Sequence, residues 1–261
     1  MDNSVTHSSI RNQLLASLSA GKYKEIQGDI ERVKMRRGDL VYKVGEPLQY
    51  IYFPESCIIS MVTVFEDGTS IESGIVGREG MTGMAVALSD GIANREAYVQ
   101  ISGISLCIKA HKFCEALERG GPLQKAALNY TSNFFEQVTQ GGACSGHHSL
   151  NERLIRLLLT CSDRIEGNKM FITHEFIAQM LGTYRPNVTN AAVGLKERGL
   201  IDYQRGLITI VDKKGLENQA CECYKIIKRC HRKYLSSLQR EAVRSGTRSR
   251  VKCVNPSALV N

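Results

Sequence analysis

The sequence lacks the features that mark a membrane protein, a secreted protein or a common type of enzyme. No apolar run reaches the ~18 residues that span a bilayer, and the polar segment 1–10 lacks the basic-then-apolar layout of a secretory signal. The histidine spacing of a zinc protease, a Gly-rich phosphate loop and a nucleophile elbow are also absent. These absences predict a cytoplasmic protein that is not an enzyme and has no membrane partner.

Cysteine is present nine times, but the cysteines are scattered. Without a secretion signal, they are expected to be reduced thiols rather than a disulfide framework. The tightest group in the sequence is Cys221, Cys223, Cys230 and His231. On one helix, Cys221 and Cys223 would lie roughly 200° apart around the axis and could not easily share a metal ion. Cys144 with His147 and His148 offers no better site, so we predict neither a metal site nor a cofactor.

The formal net charge of +8 is unevenly distributed along the chain. Residues 1–148 carry 14 basic and 16 acidic side chains, residues 149–220 carry 10 and 8, and residues 221–261 carry 10 and 2. A basic C-terminal half suits a polyanionic partner, because Lys and Arg release the counterions condensed on phosphates. The alternative is a basic disordered tail that only aids solubility.

The first half of the chain reads as a short helical stretch over 9–28, followed by β-structure. Short runs rich in β-branched and aromatic residues are separated by Gly, Pro, Asp and Asn, as in a sandwich or barrel. The strand candidates are 40–44, 50–53, 58–65, 70–76 and 98–108. Asp67-Gly68, between two of them, favours a tight type I′ hairpin.

From residue 111 the pattern becomes helical. One helix covers 111–119, and a second begins near Pro122 and continues to about Ser145. Its apolar stripe, at spacings of three and four residues, can pair with the same helix of a second chain. Packing on the chain's own β-domain is the alternative, and one helix can do both. The predicted dimerisation residues are Leu123, Ala127, Tyr130, Phe134, Val138 and Gly141. A capping box from Ser149 to Glu152 opens a third helix, and residues 236–261 are predicted to be largely disordered.

Residues 171–212 indicate a winged helix-turn-helix. Thr173 is the predicted N-cap of a helix that stops at Gly182, and Pro186 suits the first turn of a second helix over 187–198. Two short strands follow, joined by a turn with Arg205 at its tip. In this motif the second helix presents its N-terminal side chains to bases in the major groove.

The chain resembles the Crp–Fnr superfamily of bacterial regulators over about residues 20–230. The matching segments are 150–159, 173–182 and 195–201 and, in the β-domain, the Gly38-Asp39 turn, the Gly45-Glu46-Pro47 turn, 50–53 and 77–83. The resemblance implies an α+β chain: a β-roll of the cyclic-nucleotide-binding type (a double-stranded jelly roll), a long dimerisation helix and a C-terminal winged helix-turn-helix. It implies a homodimer that binds a partly palindromic site in double-stranded DNA, with RNA polymerase as a partner if the protein activates transcription. A cyclic-nucleotide-binding signalling module is the alternative.

By the same resemblance, Arg185 corresponds to the recognition-helix arginine that contacts guanine, a bidentate contact common in protein–DNA complexes. A phosphate contact without base reading is the alternative role. Pro186 replaces the acidic residue that often follows this arginine, so that base contact is lost. The predicted DNA-binding residues are Thr173, Thr183, Tyr184, Arg185, Asn187, Thr189, Asn190 and Arg205.

The cyclic-nucleotide anchors of the family are altered. Met84 stands where a ribose-binding glutamate is expected, and Glu96 stands where a hydroxyl would meet the phosphate. Gly83 and Arg95 complete the candidate effector pocket, in which Arg95 is expected to pair with Glu96 or a neighbour. Residues 1–30 contain no cysteine for the iron–sulfur cluster of other members. The sequence therefore does not identify the effector.

Four regions are predicted: a β-roll sensor with an N-terminal helix over 1–110, and a connector with the dimerisation helix over 111–148. A DNA-binding domain over 149–220 follows, and then a basic helical extension with a disordered tail over 221–261.

Overall fold

The computed structural model of the chain describes residues 5–244. Its N-terminal part contains a 3-10 turn over His7–Ser9, helix α1 over Gln13–Ala16 and helix α2 over Ala20–Gln27. The single helical stretch predicted over 9–28 is therefore wrong. The Asn12 side chain caps α1, and the Ser19 side chain accepts a hydrogen bond from the Lys22 amide, which starts a new helix.

The β-roll consists of two antiparallel sheets with strand orders β1-β7-β3 and β2-β6-β4-β5. Its strands are β1 Glu31–Met35, β2 Leu40–Tyr42, β3 Tyr50–Pro54, β4 Ile58–Val64, β5 Ser70–Val76, β6 Glu96–Ile101 and β7 Gly103–Lys109, with helix α3 over Ala85–Leu88. The predicted strand 98–108 is two strands, because the chain changes sheets at Ser102. There Gly103 lies against the backbone of Ser56 and Cys57, and a Cβ atom would come within 2.5 Å of the Cys57 nitrogen.

The second half of the chain is mainly helical, with one three-stranded antiparallel sheet of order β8-β10-β9. The elements are α4 Ala110–Glu118, α5 Pro122–His147, α6 Leu150–Ser162, β8 Lys169–Phe171, α7 His174–Leu181, α8 Arg185–Glu197, β9 Ile201–Gln204, β10 Leu207–Ile210, α9 Lys213–Gln219 and α10 Glu222–Arg244. The capping box is formed, since Ser149 and Glu152 bond each other's backbone amides. Among the described residues, no helix combines the length and the apolar character needed to cross a bilayer.

Helix α10 corrects two expectations. Disorder was predicted from Ser236, but α10 continues to Arg244 and buries Tyr234 and Leu238 in the main core; residues 245–261 lie outside the described residues. Cys221 precedes α10 instead of lying on it. The two cysteines are therefore not separated by the roughly 200° expected for residues of one helix. The Cys221 sulfur lies 3.8 Å from the sulfur of Cys144 on α5.

The apolar stripe of α5 packs within its own chain. Leu123, Ala127, Tyr130 and Phe134 are buried in the core that also contains the roll and the end of α10. Val138 is partly buried against the same core, and Gly141 is also partly buried. The stripe therefore packs on the β-roll, the second of its two expected roles, and its four innermost residues are covered within the chain. Pairing of the same helix with a second chain stays a prediction.

A buried ion pair joins the roll to the second half of the chain. Arg164, just after α6, donates from Nε to Glu79 Oε1 of the roll at 2.7 Å, and the two side chains are only 5% and 2% exposed. Arg164 also donates to Gln137 of α5 at 2.6 Å, and the Tyr234 hydroxyl of α10 donates to the Glu79 carbonyl at 2.9 Å. Burial raises the pKa of the Glu79 carboxyl, but Arg164 and then His231 outweigh it, so that the pKa lies below its usual range.

We predict that Glu79→Gln strongly destabilises the protein at neutral pH. The variant leaves Arg164 buried without a counter-charge, which costs ~3–5 kcal/mol in the free energy of unfolding. Because the pKa of Glu79 is lower in the folded chain, its contribution is complete above the unfolded pKa of about 4.3 and is lost as the pH falls through the folded value. Urea unfolding should therefore show a difference between variant and wild type that shrinks on acidification.

The matched control is Glu166→Gln. Glu166 pairs with Arg11 at 3.3 Å, but the side chains are 63% and 70% exposed for Arg11 and Glu166. Losing this exposed pair should change stability by less than about 1 kcal/mol. Equal, small losses in both variants would contradict a special role for the buried pair.

Candidate DNA-binding surface

Local signals define both ends of helix α7. The Thr173 hydroxyl accepts a hydrogen bond from the Phe176 amide at 3.2 Å, which caps the helix start. Gly182 ends it with φ 58° and ψ 50°, the left-handed conformation that glycine adopts without strain. Arg153 of α6 donates to the Leu181 carbonyl at 3.0 Å, which satisfies one of the last carbonyls of the helix.

Helix α8 begins at Arg185, two residues earlier than predicted, with Pro186 in its first turn. Its inner face buries Val188, Ala192 and Leu195. The opposite face leaves most of the predicted reading residues exposed at the N-terminal end, and the Tyr184 side chain before the helix is 80% exposed. The exposed set is Tyr184, Arg185, Asn187 and Asn190. This end of α8 can therefore approach a macromolecular surface without rearrangement of its own helix.

Two of the predicted DNA-binding threonines also have structural partners. The Thr189 hydroxyl donates to the Arg185 carbonyl at 3.0 Å and lies 3.1 Å from His174 Nδ1. The Thr183 hydroxyl accepts from the Asn187 side-chain amide at 3.2 Å. Thr189 therefore braces α8 against α7, and Thr183 helps to orient Asn187.

His174, which was not among the predicted site residues, lies beneath α8. Its ring stacks on Tyr203 of β9 with 3.9 Å between ring centroids and 20° between planes. Burial, and after it the positive charge of Arg185, lower the pKa of His174. A neutral His174 thus links α7, α8 and the wing. Its position one residue after the N-cap Thr173 was the only signal in the sequence.

The wing is a two-residue hairpin between β9 and β10. Gln204 pairs with Leu207, and Arg205 and Gly206 both have positive φ, 49° and 81°, as in a type I′ turn. Asn and Gly are the residues that suit these positions, and an arginine there costs ~1–2 kcal/mol in backbone energy. Such strain is often kept at functional positions. Arg205 lies exposed at the tip, as predicted.

The helix-turn-helix contacts the β-roll through α7. Gln179 donates to the Ser70 hydroxyl at 2.5 Å, and the Ser60 hydroxyl lies 3.1 Å from the Met180 sulfur. A Cβ atom on Gly182 would come within 2.7 Å of Ile71 of β5. The two halves also share an apolar cluster containing Ile75 of the roll. The orientation of α8 is therefore coupled to the position of strand β5.

A cavity of about 330 Å³ lies between the roll and α5. Gly83, Met84 and Arg95, three of the four predicted effector-pocket residues, line it. The other lining residues are Tyr42, Leu48, Met61, Ala85, Leu88, Ser89, Ala93, Asn94, Thr131, Phe134, Phe135 and Val138. Within the described part of the chain, Arg95 is the one charged residue of this lining, so the cavity suits a mainly apolar ligand.

Glu96 does not behave as predicted. It is not among the residues that line this cavity, and its carboxylate accepts a hydrogen bond from the Tyr98 hydroxyl at 2.5 Å. Arg95 was expected to pair with Glu96 or a neighbour. It donates from Nε to the side chain of its neighbour Asn94 at 3.1 Å, which is a hydrogen bond and not an ion pair. Arg95 lies in the bend before β6, whereas Glu96 is the first residue of the strand, so the two side chains have different surroundings.

Comparison with known proteins agrees with this geometry. Residues 152–219 match the family model of the Crp-like helix-turn-helix domain. The chain is 22% identical over 227 residues to the global nitrogen regulator of Nostoc sp. (strain PCC 7120), covering 82% of this chain and 98% of that protein. FixK2 from Bradyrhizobium japonicum has a similar fold, with a TM-score of 0.64, 16% identity and coverage of 74% of this chain and 98% of FixK2. A Crp/Fnr-family regulator from Eubacterium rectale also has a similar fold, with a TM-score of 0.61 and 21% identity. The match covers 78% of this chain and 96% of that regulator.

A β-roll joined by a long helix to a winged helix-turn-helix defines a two-part DNA-binding regulator. Residues 152–219 match the Crp-like helix-turn-helix domain, and the chain is a DNA-binding transcription regulator whose fold is similar to that of Crp–Fnr regulators. Its relatives are transcription regulators rather than enzymes.

We predict different DNA-binding defects for two arginine variants. If Arg185 makes the expected bidentate guanine contact, Arg185→Ala should cost ~1–3 kcal/mol at the specific site and relax one base position. If Arg205 contacts a phosphate, Arg205→Ala should weaken binding to all sequences alike and lower the slope of log K against log salt by about 1. Fluorescence anisotropy with specific and scrambled duplexes at several salt concentrations measures both effects. Equal, sequence-independent losses would make Arg185 a phosphate contact.

Proposed function

We propose that the chain acts as a homodimer on a partly palindromic operator, with one α8 helix in each half-site. The exposed N-terminal end of α8, beside a wing that carries Arg205, is the observation that supports base-specific reading. A two-fold dimer places two such helices about one turn of DNA apart, ~34 Å between half-site centres. In an activator of this kind, RNA polymerase is the further partner.

The outer face of α5 supports this dimer. Leu128, Thr131, Phe135, Val138 and Gly142 recur at alternating spacings of three and four residues, the a/d pattern of a helix pair. Leu128 is 48% exposed and Phe135 is 64% exposed. This face lies beside the inner stripe predicted from the sequence and shares Val138 with it. A second copy of α5 would cover both exposed side chains.

We predict that Phe135→Glu shifts the protein to monomers. A glutamate at this position would be buried without a partner in each chain of the dimer, at a cost of several kcal/mol. Since 1.4 kcal/mol corresponds to a tenfold change, the dimer dissociation constant should rise at least about 100-fold. Sedimentation velocity measures the distribution of monomer and dimer.

Phe171→Glu is the matched control, because Phe171 is similarly exposed, at 62%, but lies on β8. This variant should remain dimeric. A wild-type protein that stays monomeric with and without DNA would contradict the proposed assembly.

We further propose that the effector is a mainly apolar small molecule in the cavity between the roll and α5. Arg95 is available there for one anionic group, whereas Met84 replaces the carboxylate that binds ribose in cyclic-nucleotide sensors. Phe135 and Val138 belong both to this cavity and to the proposed dimer face. A ligand in the cavity would therefore contact residues of the dimer interface directly.

We predict that millimolar cyclic AMP leaves DNA binding unchanged. Loss of the ribose contact at Met84 costs ~1–3 kcal/mol, and a polar nucleotide gains little from an apolar lining. A ligand shifts an equilibrium only by its different affinities for the two states. Isothermal titration calorimetry on the wild type measures the binding. A saturable signal at micromolar cyclic AMP would overturn the assignment of the pocket residues.

A further inference from the structure

Three cysteines and one histidine converge where the DNA-binding region joins the rest of the chain. Cys144 and His148 lie at the C-terminal end of α5, and Cys221 and Cys223 lie at the start of α10. The four candidate ligand atoms are all within 4.8 Å of one another. In the sequence these residues belong to two separate groups, and the fold brings two members of each group together.

The distances within this cluster match those of a metal site. The Cys144 and Cys221 sulfurs are 3.8 Å apart, and Cys223 Sγ is 3.6 Å from His148 Nδ1. A tetrahedral Zn²⁺ ion with Zn–S bonds of about 2.3 Å and a Zn–N bond of about 2.0 Å requires ligand separations of roughly 3.5–3.8 Å. The longer separations in the cluster need to contract by about 1 Å, and Cys221 lies between α9 and α10, where the backbone can adapt.

Neighbouring groups are placed as they would be around a bound metal. His148 Nε2 is 3.3 Å from Glu222 Oε2, so that a ligating Nδ1 would have its other ring nitrogen held by a carboxylate. Gln140 Nε2 donates to the Cys223 sulfur at 3.1 Å, which favours a thiolate there. Cys223 also lies in the first turn of the 23-residue α10, where the helix dipole stabilises negative charge.

Hydrophobic packing of the thiols explains less of this arrangement than a metal site does. Cys144, Cys221 and Cys223 are 0%, 6% and 2% exposed and form an apolar cluster separate from the two larger cores. Buried thiols alone pack as small apolar groups, but packing does not require a histidine, a carboxylate and an amide directed at the same point.

We propose that Cys144, His148, Cys221 and Cys223 form a closed, tetrahedral Zn²⁺ site. Each of the three thiols releases its proton to solvent when the metal binds, and His148 binds as the neutral imidazole. The set contains three Cys and one His with no open position, which is typical of structural rather than catalytic zinc.

The site would fasten the two ends of the DNA-binding region together. Residues 149–220 form one segment between α5 and α10. Cys144 and His148 come just before this segment, and Cys221 and Cys223 come just after it. A metal bound here would limit rotation of that region about the α5–α6 connection. The same metal should stabilise the folded chain, because it binds the native state and not the unfolded one.

Cobalt titration of the full-length, reduced, metal-free protein tests the proposal. We expect one Co²⁺ per chain, with intense tetrahedral ligand-field bands and thiolate-to-cobalt charge-transfer absorption, both lost when Zn²⁺ displaces cobalt. Cys223→Ser and His148→Ala should each abolish the tetrahedral signal. The matched control is Cys230→Ser, because Cys230 is also on α10 but outside the cluster; this variant should bind as the wild type does.

Two measurements on the wild type need no variant. X-ray absorption at the zinc edge should show three sulfurs and one nitrogen at about 2.3 and 2.0 Å. Free zinc at a thousand times its dissociation constant should raise the melting temperature by roughly 5–10 °C. The proposal is overturned by an absence of stoichiometric tetrahedral binding, by equal loss of binding in Cys230→Ser, or by a Cys144–Cys221 disulfide as the form isolated from reducing lysate.

Discussion

The ion pair between Glu79 and Arg164 is the interaction on which the arrangement of the whole chain depends. Removing two charges from water costs several kcal/mol for each ion, so the two side chains are stable there only if they stay together. They belong to different parts of the chain, since Glu79 follows the last strand of the central hairpin and Arg164 follows α6. Gln137 and Tyr234 add α5 and α10 to the same junction. The pair therefore fixes four parts of the fold at one point.

The DNA-binding surface follows from this junction. Arg164 holds the end of α6 at this junction. Gln179 and Gly182 of the α7 segment contact strand β5. His174 of α7 contacts Thr189 of α8 and stacks on Tyr203 of the wing. The N-terminal end of α8 then remains exposed. We propose that a change in the roll that moves β5 reaches helix α8 through these packed side chains. The cavity is lined by α5, and its lining residues Phe134 and Val138 lie beside Gly74 of β5. This gives the regulator a physical route from the sensor to the DNA surface.

The sequence predicts features that depend on local chemistry. The cap at Thr173, the helix end at Gly182, Pro186 at the start of α8 and the turn at Arg205 follow from rules within a few residues, and the structure has all four. The tight type I′ turn predicted at Asp67-Gly68 is wrong, because Val64 pairs with Ser70 and Asp67 does not have a positive φ. Features that depend on distant residues were missed. The period of α5 identifies an apolar stripe, but it does not say whether the roll or a second chain covers it. Glu96 was assigned to the pocket because a sequence match does not determine to which side of a strand a residue points. The contact between the thiols of Cys144 and Cys221 joins positions far apart in the chain, and no local rule predicts it.

Selection of bound sequences from a random duplex library, with the full-length protein, tests the central claim most directly. If the exposed ends of two α8 helices read the DNA, the enriched sequences should contain an inverted repeat whose half-sites are centred about 10 base pairs apart. Enrichment of sequences without a repeat, or no enrichment over the starting library, would contradict the account.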